Sequence, residues 1–265
     1  YHNLPQPRIV AVENEVDLRP ETLSVRTRGH YEIVNQHAAP IAEFHVAVDP
    51  DATIEKLEFG GAKLIHDDAR VGYRIYRLDK PMQPGEHRQL NFVQSYAQRG
   101  FSNEPGNTQI VANGSFFNSS VFPSFGYSEG RQLSDRNERR KRGLGEAPRM
   151  PKLEDQAARA NHYIASDADW IDFKTTVCTA PDQIALSPGY LKREFRRDGR
   201  RCFDYAMDRP MLPFYSYLSA RWEVRRAEHA GIPIEVYYDP KHAYNVDRMI
   251  DGVKKSLDYF QANFT

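Results

Sequence analysis

The sequence contains no H-E-x-x-H frame, no G-x-S-x-G and no glycine-rich phosphate loop. Each absence removes a class of chemistry. H-E-x-x-H sets two imidazoles one helical turn apart against one metal and leaves the glutamate for a water. G-x-S-x-G builds the strained elbow of a serine hydrolase. Gly60-Gly61 in "LEFGGAKL" has neither P-loop nor dinucleotide spacing and reads as a hairpin turn. No apolar run approaches the roughly 20 residues that span a bilayer, and no signal peptide opens the chain. The chain begins at Tyr1 rather than Met, so a longer parent is expected. Charge of one sign is lacking as well, with Lys plus Arg and Asp plus Glu both 36. No nucleic-acid or anionic-membrane partner is therefore expected. Cysteine is scarce: Cys178 and Cys202 are too few for a disulfide framework or a Cys-based zinc site. Two partly buried thiols are expected, with a disulfide between neighbouring strands as the alternative.

What is present is a chain able to bury a core, with 40% hydrophobic and 12% aromatic residues in 265. From Val10 to Tyr96, short alternating runs are separated by turn residues. "LSVRTRGHYEIVNQ" places Leu23, Val25 and Thr27 on one face and resumes with Tyr31 and Ile33. "IAEFHVAVD" sets Ile41, Glu43, His45 and Ala47 against Ala42, Phe44, Val46 and Val48. Runs of this spacing, rich in β-branched and aromatic residues, read as an antiparallel sandwich.

Residues 128–165 are polar, charged and broken by Gly143, Gly145, Pro148 and Pro151. The basic cluster Arg136, Arg139, Arg140, Lys141 and Arg142 is interleaved with Asp135, Glu138 and Glu146 and holds no stacking aromatic. It reads as a solvated loop with a helical turn rather than a nucleic-acid site. Strands resume at Trp170. Asp198-Gly199 marks a hairpin, and "FYSYLSARWEV" puts Phe214, Leu218, Ala220, Trp222 and Val224 on one face, with Tyr215, Tyr217, Arg221 and Glu223 on the other. After "IPIEVYYD", the residues Val246, Met249, Ile250, Val253, Leu257, Phe260 and Phe264 recur at helical spacing, with Asn245 as the expected N-cap. So wide a stripe needs a partner surface.

The nine histidines yield no ligand frame. His87 and His229 read as loop residues beside Glu86 and Glu228, and His162 and His242 are isolated. His30, His37 and His45 fall on separate strands and a loop, where a three-histidine site is the minority reading. Asp67/Asp68 and Asp167/Asp169 read as exposed-turn carboxylates. The Ser-rich "ANGSFFNSSVFPSFGY" has no histidine close in sequence. No catalytic, cofactor-binding or metal residue is assigned.

"DWIDFKTTVCTAPDQIALSPGYL" and "DGRRCFDYAMDRPMLPFYSYLSARWEV" resemble the M1 family of zinc aminopeptidases, in a D-F strand, a P-x-x-x-A-L-S-x-G turn and a D-G hairpin. "IPIEVYYDPKHAYNVDRMIDGVKKSLDYFQANF" resembles the first strand and helix of that family's catalytic domain, and Phe122-Pro123-Ser124 is similar to its F-P-C segment. The resemblance implies a mainly β fold: an antiparallel, saddle-like β-sandwich over residues 1–230, followed at 231–265 by the start of a truncated α/β catalytic domain. It implies a non-catalytic wall of the active-site cleft, in a parent that uses zinc to remove amino-terminal residues from peptides. This chain alone would be no enzyme and hold no cofactor. Its partners would be the rest of the catalytic domain and, in the parent, peptide substrates.

The segment "NGSFFNSSVFPSFGYSEGRQLSDRNERRKRGL" is similar to a bacterial branch fused to an ABC-transporter permease, which implies a soluble fragment of a parent attached to the inner membrane. The family's substrate-anchoring G-x-M-E-N and its zinc motif are absent here, and its Gln and Glu upstream of F-P-C are replaced by Ala112-Asn113-Gly114-Ser115. A regulatory or protein-interaction module of an inactive, peptidase-like parent is therefore the second reading. A ligand-binding sandwich using Tyr215, Tyr217, Phe116, Phe117, Phe125 and Tyr127 as a platform is the third, against core packing of those rings.

Overall fold

The computed structural model describes residues 1, 4–98, 108–127, 132–147, 149–156, 158–160 and 163–264. His162, Pro148 and residues 128–131 of the charged excursion lie outside these. The alternating runs become three layers' worth of strands around one core. A seven-stranded sheet carries, in order, β12 (Tyr190–Arg197), β13 (Arg200–Ala206), β10 (Ala168–Thr179), β1 (Arg8–Arg19), β2 (Ser24–Val34), β7 (His87–Ala97) and β4 (Thr53–Phe59). On its apolar face lie two smaller sheets. One is β5 (Ala62–Asp68), β6 (Tyr73–Met82), β3 (Ile41–Ala47) and β9 (Ser124–Phe125); the other is β11 (Ile184–Leu186), β14 (Ser216–Ala220) and β8 (Ser115–Asn118).

The fold is mainly β and mostly antiparallel, as the alternation requires. The exception is central: β1 and β10 run parallel, from Ile9 opposite Ala168 to Asp17 opposite Cys178. A parallel pair needs a long crossover, and here β2 to β9 intervene. In β1 a bulge between Ile9 and Ala11 shifts the register, so Ile9 and then Val12, Asn14, Val16 and Leu18 all face inward. Aromatic rings fill the interlayer space. Phe44 meets Phe59 and Phe125, and Phe173 stacks on Tyr215 with centroids 5.0 Å apart.

Three local expectations fail, each for a packing reason. Gly60-Gly61 does not join paired strands: β4 pairs with β7 and β5 with β6, so the turn hands the chain from one layer to the other. In β3 the alternation ends at Phe44; His45, Val46 and Ala47 are buried too, and His45 is covered on the outer side by Tyr1, Gln6 and Tyr73. "FYSYLSARWEV" is not one strand. It breaks at Arg221-Trp222 into β14 and β15 (Glu223–His229), and in β14 the inward residues are Tyr217 and Ser219, while Leu218 lies on the other face.

Asp198-Gly199 closes the β12–β13 hairpin with φ of 50° and 75°, the left-handed pair that a two-residue turn demands. The excursion holds one short helix, α1 (Arg136–Lys141), capped by Asp135, whose side chain accepts from Glu138 N at 2.8 Å. Its cations serve the loop itself. Arg136 meets Glu146, Lys141 and Arg142 meet Glu138, and Arg139 donates to the carbonyls of Leu133 and Gly145.

β15 pairs across Ala230-Gly231 with β16 (Ile232–Tyr238), and this hairpin carries α2 (Val246–Phe264). They share a separate small core of Ile234, Val246 and Ile250, with Ala227, Val236, Tyr238 and Leu257 against it. The cap lies earlier than Asn245. Asp239 opens a 3-10 turn, Pro240–Asn245, that runs straight into the helix. Among the described residues no helix is long and apolar enough to cross a membrane.

The close approach at Gly29 supplies a test. A Cβ there would lie 1.9 Å from Cζ of Phe92, its cross-strand partner. Gly29→Ala should lower stability by about 2–3 kcal/mol through overpacking, and Phe92→Leu in the same chain should recover part of the loss. Denaturant midpoints of the single and double variants check this.

Candidate functional site

Between β10 and β14, where the seven-stranded sheet meets the small one, the interior is lined by hydroxyls and amides that water does not reach. Most have found a partner, Asn14 Oδ1 being an exception. Asn14 Nδ2 donates to Tyr217 Oη at 3.1 Å, and Thr175 Oγ1 donates to Asn14 O at 2.7 Å. With its proton so placed, Thr175 Oγ1 can only accept from Tyr217 Oη, 3.2 Å away. Tyr31 Oη and Tyr215 Oη are 3.0 Å apart. Burial drives the hydroxyls of Tyr31, Tyr215 and Tyr217 well above the usual tyrosine range. They stay protonated and serve as structural donors rather than as bases.

Further along, Ser219 Oγ donates to Gln183 Oε1 at 2.7 Å, and Thr179 Oγ1 lies 2.6 Å from Ser219 Oγ. The wholly buried Gln183 uses its amide to donate to Ala112 O at 2.8 Å. Arg221 completes the anchorage: its N donates to Asn113 Oδ1 at 2.8 Å, its Nη1 to Ala112 O at 3.3 Å, and its Nε meets Asp182 at 2.6 Å. A polar seam thus runs from the middle of the core to the surface tip Ala112-Asn113-Gly114 and fixes it. Beside the tip, Leu186, Leu218 and Phe116 form one cross-strand row on the outer face of the small sheet, with Phe116 47% exposed.

Phe122-Pro123-Ser124 lies behind this tip. Phe122 is buried and stacks on Tyr215, with centroids 5.7 Å apart. Asp167, expected in an exposed turn, is buried; its Oδ2 accepts from Phe125 N at 2.7 Å and its carbonyl accepts from Ile9 N at 2.7 Å. Burial raises its carboxyl above the ordinary aspartate value, against the pull of the backbone donors and of Arg8. Asp67 and Asp68 are also not turn residues: they end β5, where Asp67 meets Arg74 and Asp68 meets Arg70.

The histidines are not gathered. His30 Nδ1 lies 2.8 Å from Asn91 Oδ1, His37 Nε2 lies 3.0 Å from Gln6 O, and His45 Nδ1 lies 2.8 Å from Tyr73 Oη. His45 is buried, and that burial pushes its imidazole toward the neutral form. His87 begins β7 and meets Glu32 at 2.7 Å; His229 ends β15 and meets Asp258 of α2 at 2.6 Å, so neither is a free loop residue. Among the described residues no three His, Cys, Asp or Glu side chains converge as a metal site. Nor are the cysteines thiols: Cys178 and Cys202 face each other across β10 and β13 and are bonded. Of the aromatic set, Phe117, Phe125, Tyr215 and Tyr217 are buried, and only Phe116 is open.

A 400 Å³ depression on the polar face of the large sheet is lined by Glu13, His30, Glu32, Asp172, Lys174 and Arg209, among others. Its charges are partly neutralised in place, with Lys174 against Glu13 at 2.9 Å.

No protein-family model matches the sequence, and no curated protein matches it either. Solved structures do match its fold. An M1 zinc metallopeptidase from Deinococcus radiodurans, a mutant bound to a Tyr-Ser-Ala substrate, aligns over 87% of this chain and 46% of its own, with TM-score 0.54 and 11% identity. A further structure of an M1 zinc metallopeptidase from the same organism aligns over 84% of this chain and 44% of its own, with TM-score 0.53 and 13% identity. Legionella pneumophila aminopeptidase A, in complex with aspartic acid, aligns over 100% of this chain and 28% of its own, with TM-score 0.62 and 12% identity. The chain therefore shares its fold with part of these enzymes and spans less than half the length of each.

Two measurements probe the seam. Gln183→Leu takes from Ala112 O the nearer of its two donors and from Ser219 Oγ its acceptor, and should cost about 2 kcal/mol, read as a lowered urea midpoint. Asp167 binds its proton more tightly folded than unfolded, so its contribution to stability grows as pH falls through the window just above the ordinary aspartate pKa. Asp167→Asn should remove that contribution. The difference in urea midpoint between wild type and variant should shift in favour of wild type from pH 7 to pH 4.

Proposed function

We propose that this chain is the non-catalytic amino-terminal portion of an M1-like zinc aminopeptidase, and that it walls one side of the active-site cleft. The observation that carries the reading is the fold shared with M1 zinc metallopeptidases, joined to a helix whose apolar stripe is only half covered. Val246 and Ile250 of α2 are docked, whereas Met249, Val253, Phe260 and Phe264 are 56%, 41%, 57% and 72% exposed. A stripe left open in this way calls for further protein against it. In the proposal the β15–β16 hairpin and α2 open the catalytic domain, and the rest of that domain packs on the stripe and on the Leu186–Leu218–Phe116 row.

Among the described residues no ligand set for zinc converges, and His30, His37 and His45 each hold a separate partner. Zinc and its water would belong to the remainder of the parent; this chain would supply a rigid boundary that admits peptide ends. Attachment of the parent to a bacterial inner membrane through a permease in the same chain belongs to this proposal and rests on the sequence resemblance alone.

One observation favours a second reading, a regulatory or protein-interaction module in an inactive parent. At the tip, the side chain of Asn113 is turned to Arg221 N, and Asp182 is paired with the same arginine. The tip residues Ala112-Asn113-Gly114 themselves carry no carboxylate for a substrate amine.

The test is hydrolysis of a panel of aminoacyl amides with added zinc, by this chain and by the parent extended through its catalytic domain. The chain alone should be silent and bind no stoichiometric zinc, while the extended parent should turn over. Tight zinc in the short chain sinks the proposal. A folded but silent extended parent favours the interaction module.

A further inference from the structure

We infer that Cys178–Cys202 is a permanent structural bridge and that the protein therefore matures outside the reducing cytosol. The two residues are direct register partners on β10 and β13, next to the pairs Val177–Phe203 and Thr179–Arg201, with no bulge to move them apart. They are bonded, and no free cysteine remains. Cys178 is 2% exposed and Cys202 is fully buried; they lie on the face of the sheet opposite Val177 and Phe203, where Arg197 Nη2 donates to Cys178 Sγ at 3.4 Å. A bridge so placed is out of reach of a soluble thiol while the protein is folded, which distinguishes it from the exposed, labile bridges that act as switches.

Closing it joins two thiols with loss of two protons and two electrons. These pass to a disulfide oxidant of the compartment, either a protein disulfide or a small disulfide, which leaves as two thiols. Such oxidants persist in secretory and extracytoplasmic spaces, whereas the cytosol keeps protein thiols reduced.

The bridge also has a mechanical consequence. It closes the chain from 178 to 202 around Gln183 and β11, so the residue that holds the tip at Ala112 sits inside a covalent ring. If the parent is membrane-attached, the module stands on the face away from the cytosol. The bridge does not depend on the peptidase reading, and its test reads thiols rather than turnover.

The experiment produces the protein in two forms, retained in the bacterial cytosol and exported to the periplasm. Each is unfolded in guanidinium with a polyethylene-glycol maleimide, with and without prior reduction. The exported protein should take no adduct before reduction and two after it; the cytosolic protein should take two in both cases. Melting of the exported protein should fall by roughly 5–10 °C after reduction, the scale expected for a ring of this size. Two adducts on the unreduced exported protein overturn the bridge. A cytosolic protein already without free thiols overturns the compartment. The double variant Cys178→Val/Cys202→Val checks the stability arm independently, and a melting temperature equal to the oxidised wild type's overturns the structural role.

Discussion

The constraint on which the rest of this structure depends is the need to satisfy tyrosine hydroxyls inside a dry interlayer space. Rings from β2, β7, β8, β10 and β14 and from the segment before β14 fill the gap between sheets, and three of them carry an oxygen that burial cannot leave unpaired. Tyr217 is answered by Asn14 and Thr175, and Tyr31 by Tyr215. Because the partners of Tyr217, Asn14 and Thr175, sit on β1 and β10, the central parallel pair, the hydrogen bonds fix how the small sheet rests on the large one. Apolar rings alone would tolerate sliding; paired hydroxyls do not.

From that constraint the surface tip follows. The same face of β14 that delivers Tyr217 delivers Ser219 two residues later, and Ser219 hands its proton to Gln183, which holds Ala112. The tip Ala112-Asn113-Gly114, which stands where the M1 resemblance implies an amine anchor, is thus held firmly. The stretch from Asp169 to Leu191 is scaffold: it provides the central strand, one half of the bridge and the glutamine that carries the tip.

How much of this was legible in the sequence depends on whether the signal was local. The Asp198-Gly199 hairpin and the helical stripe from Val246 are short-range patterns, and both appear in the structure. The layer change at Gly60-Gly61 is not local, since a turn dipeptide is the same whether its strands pair or part. The face of β14 was misread because hydropathy ranks Leu218 above Tyr217 and Ser219, while only the partners on distant strands make the polar face the inner one. Asp167 and His45 were misjudged for the same reason: each sits beside a donor or acceptor brought from far along the chain, Phe125 N and Tyr73 Oη. The bond between Cys178 and Cys202 required the register of β10 on β13, which no spacing encodes.

The candidate site is legible in the sequence only as motifs that are missing, and the proposed cleft wall would leave the chemistry to the rest of the parent. A cleft wall must resist deformation without taking part in the reaction, so its buried polar groups should be saturated by one another. Here the seam leaves the buried Tyr217, Gln183 and Ser219 engaged with protein rather than presented outward. The open apolar side chains include Phe116 on the small sheet and Met249, Val253, Phe260 and Phe264 of α2. Open apolar surface cannot discriminate a substrate's charge, but it associates with other protein strongly and without direction. A module with an inward-facing polar network and outward-facing apolar patches is built to be held against a partner. That physical character agrees with a wall of a larger enzyme and with an interaction module alike, and the chemistry of whatever covers α2 decides between them.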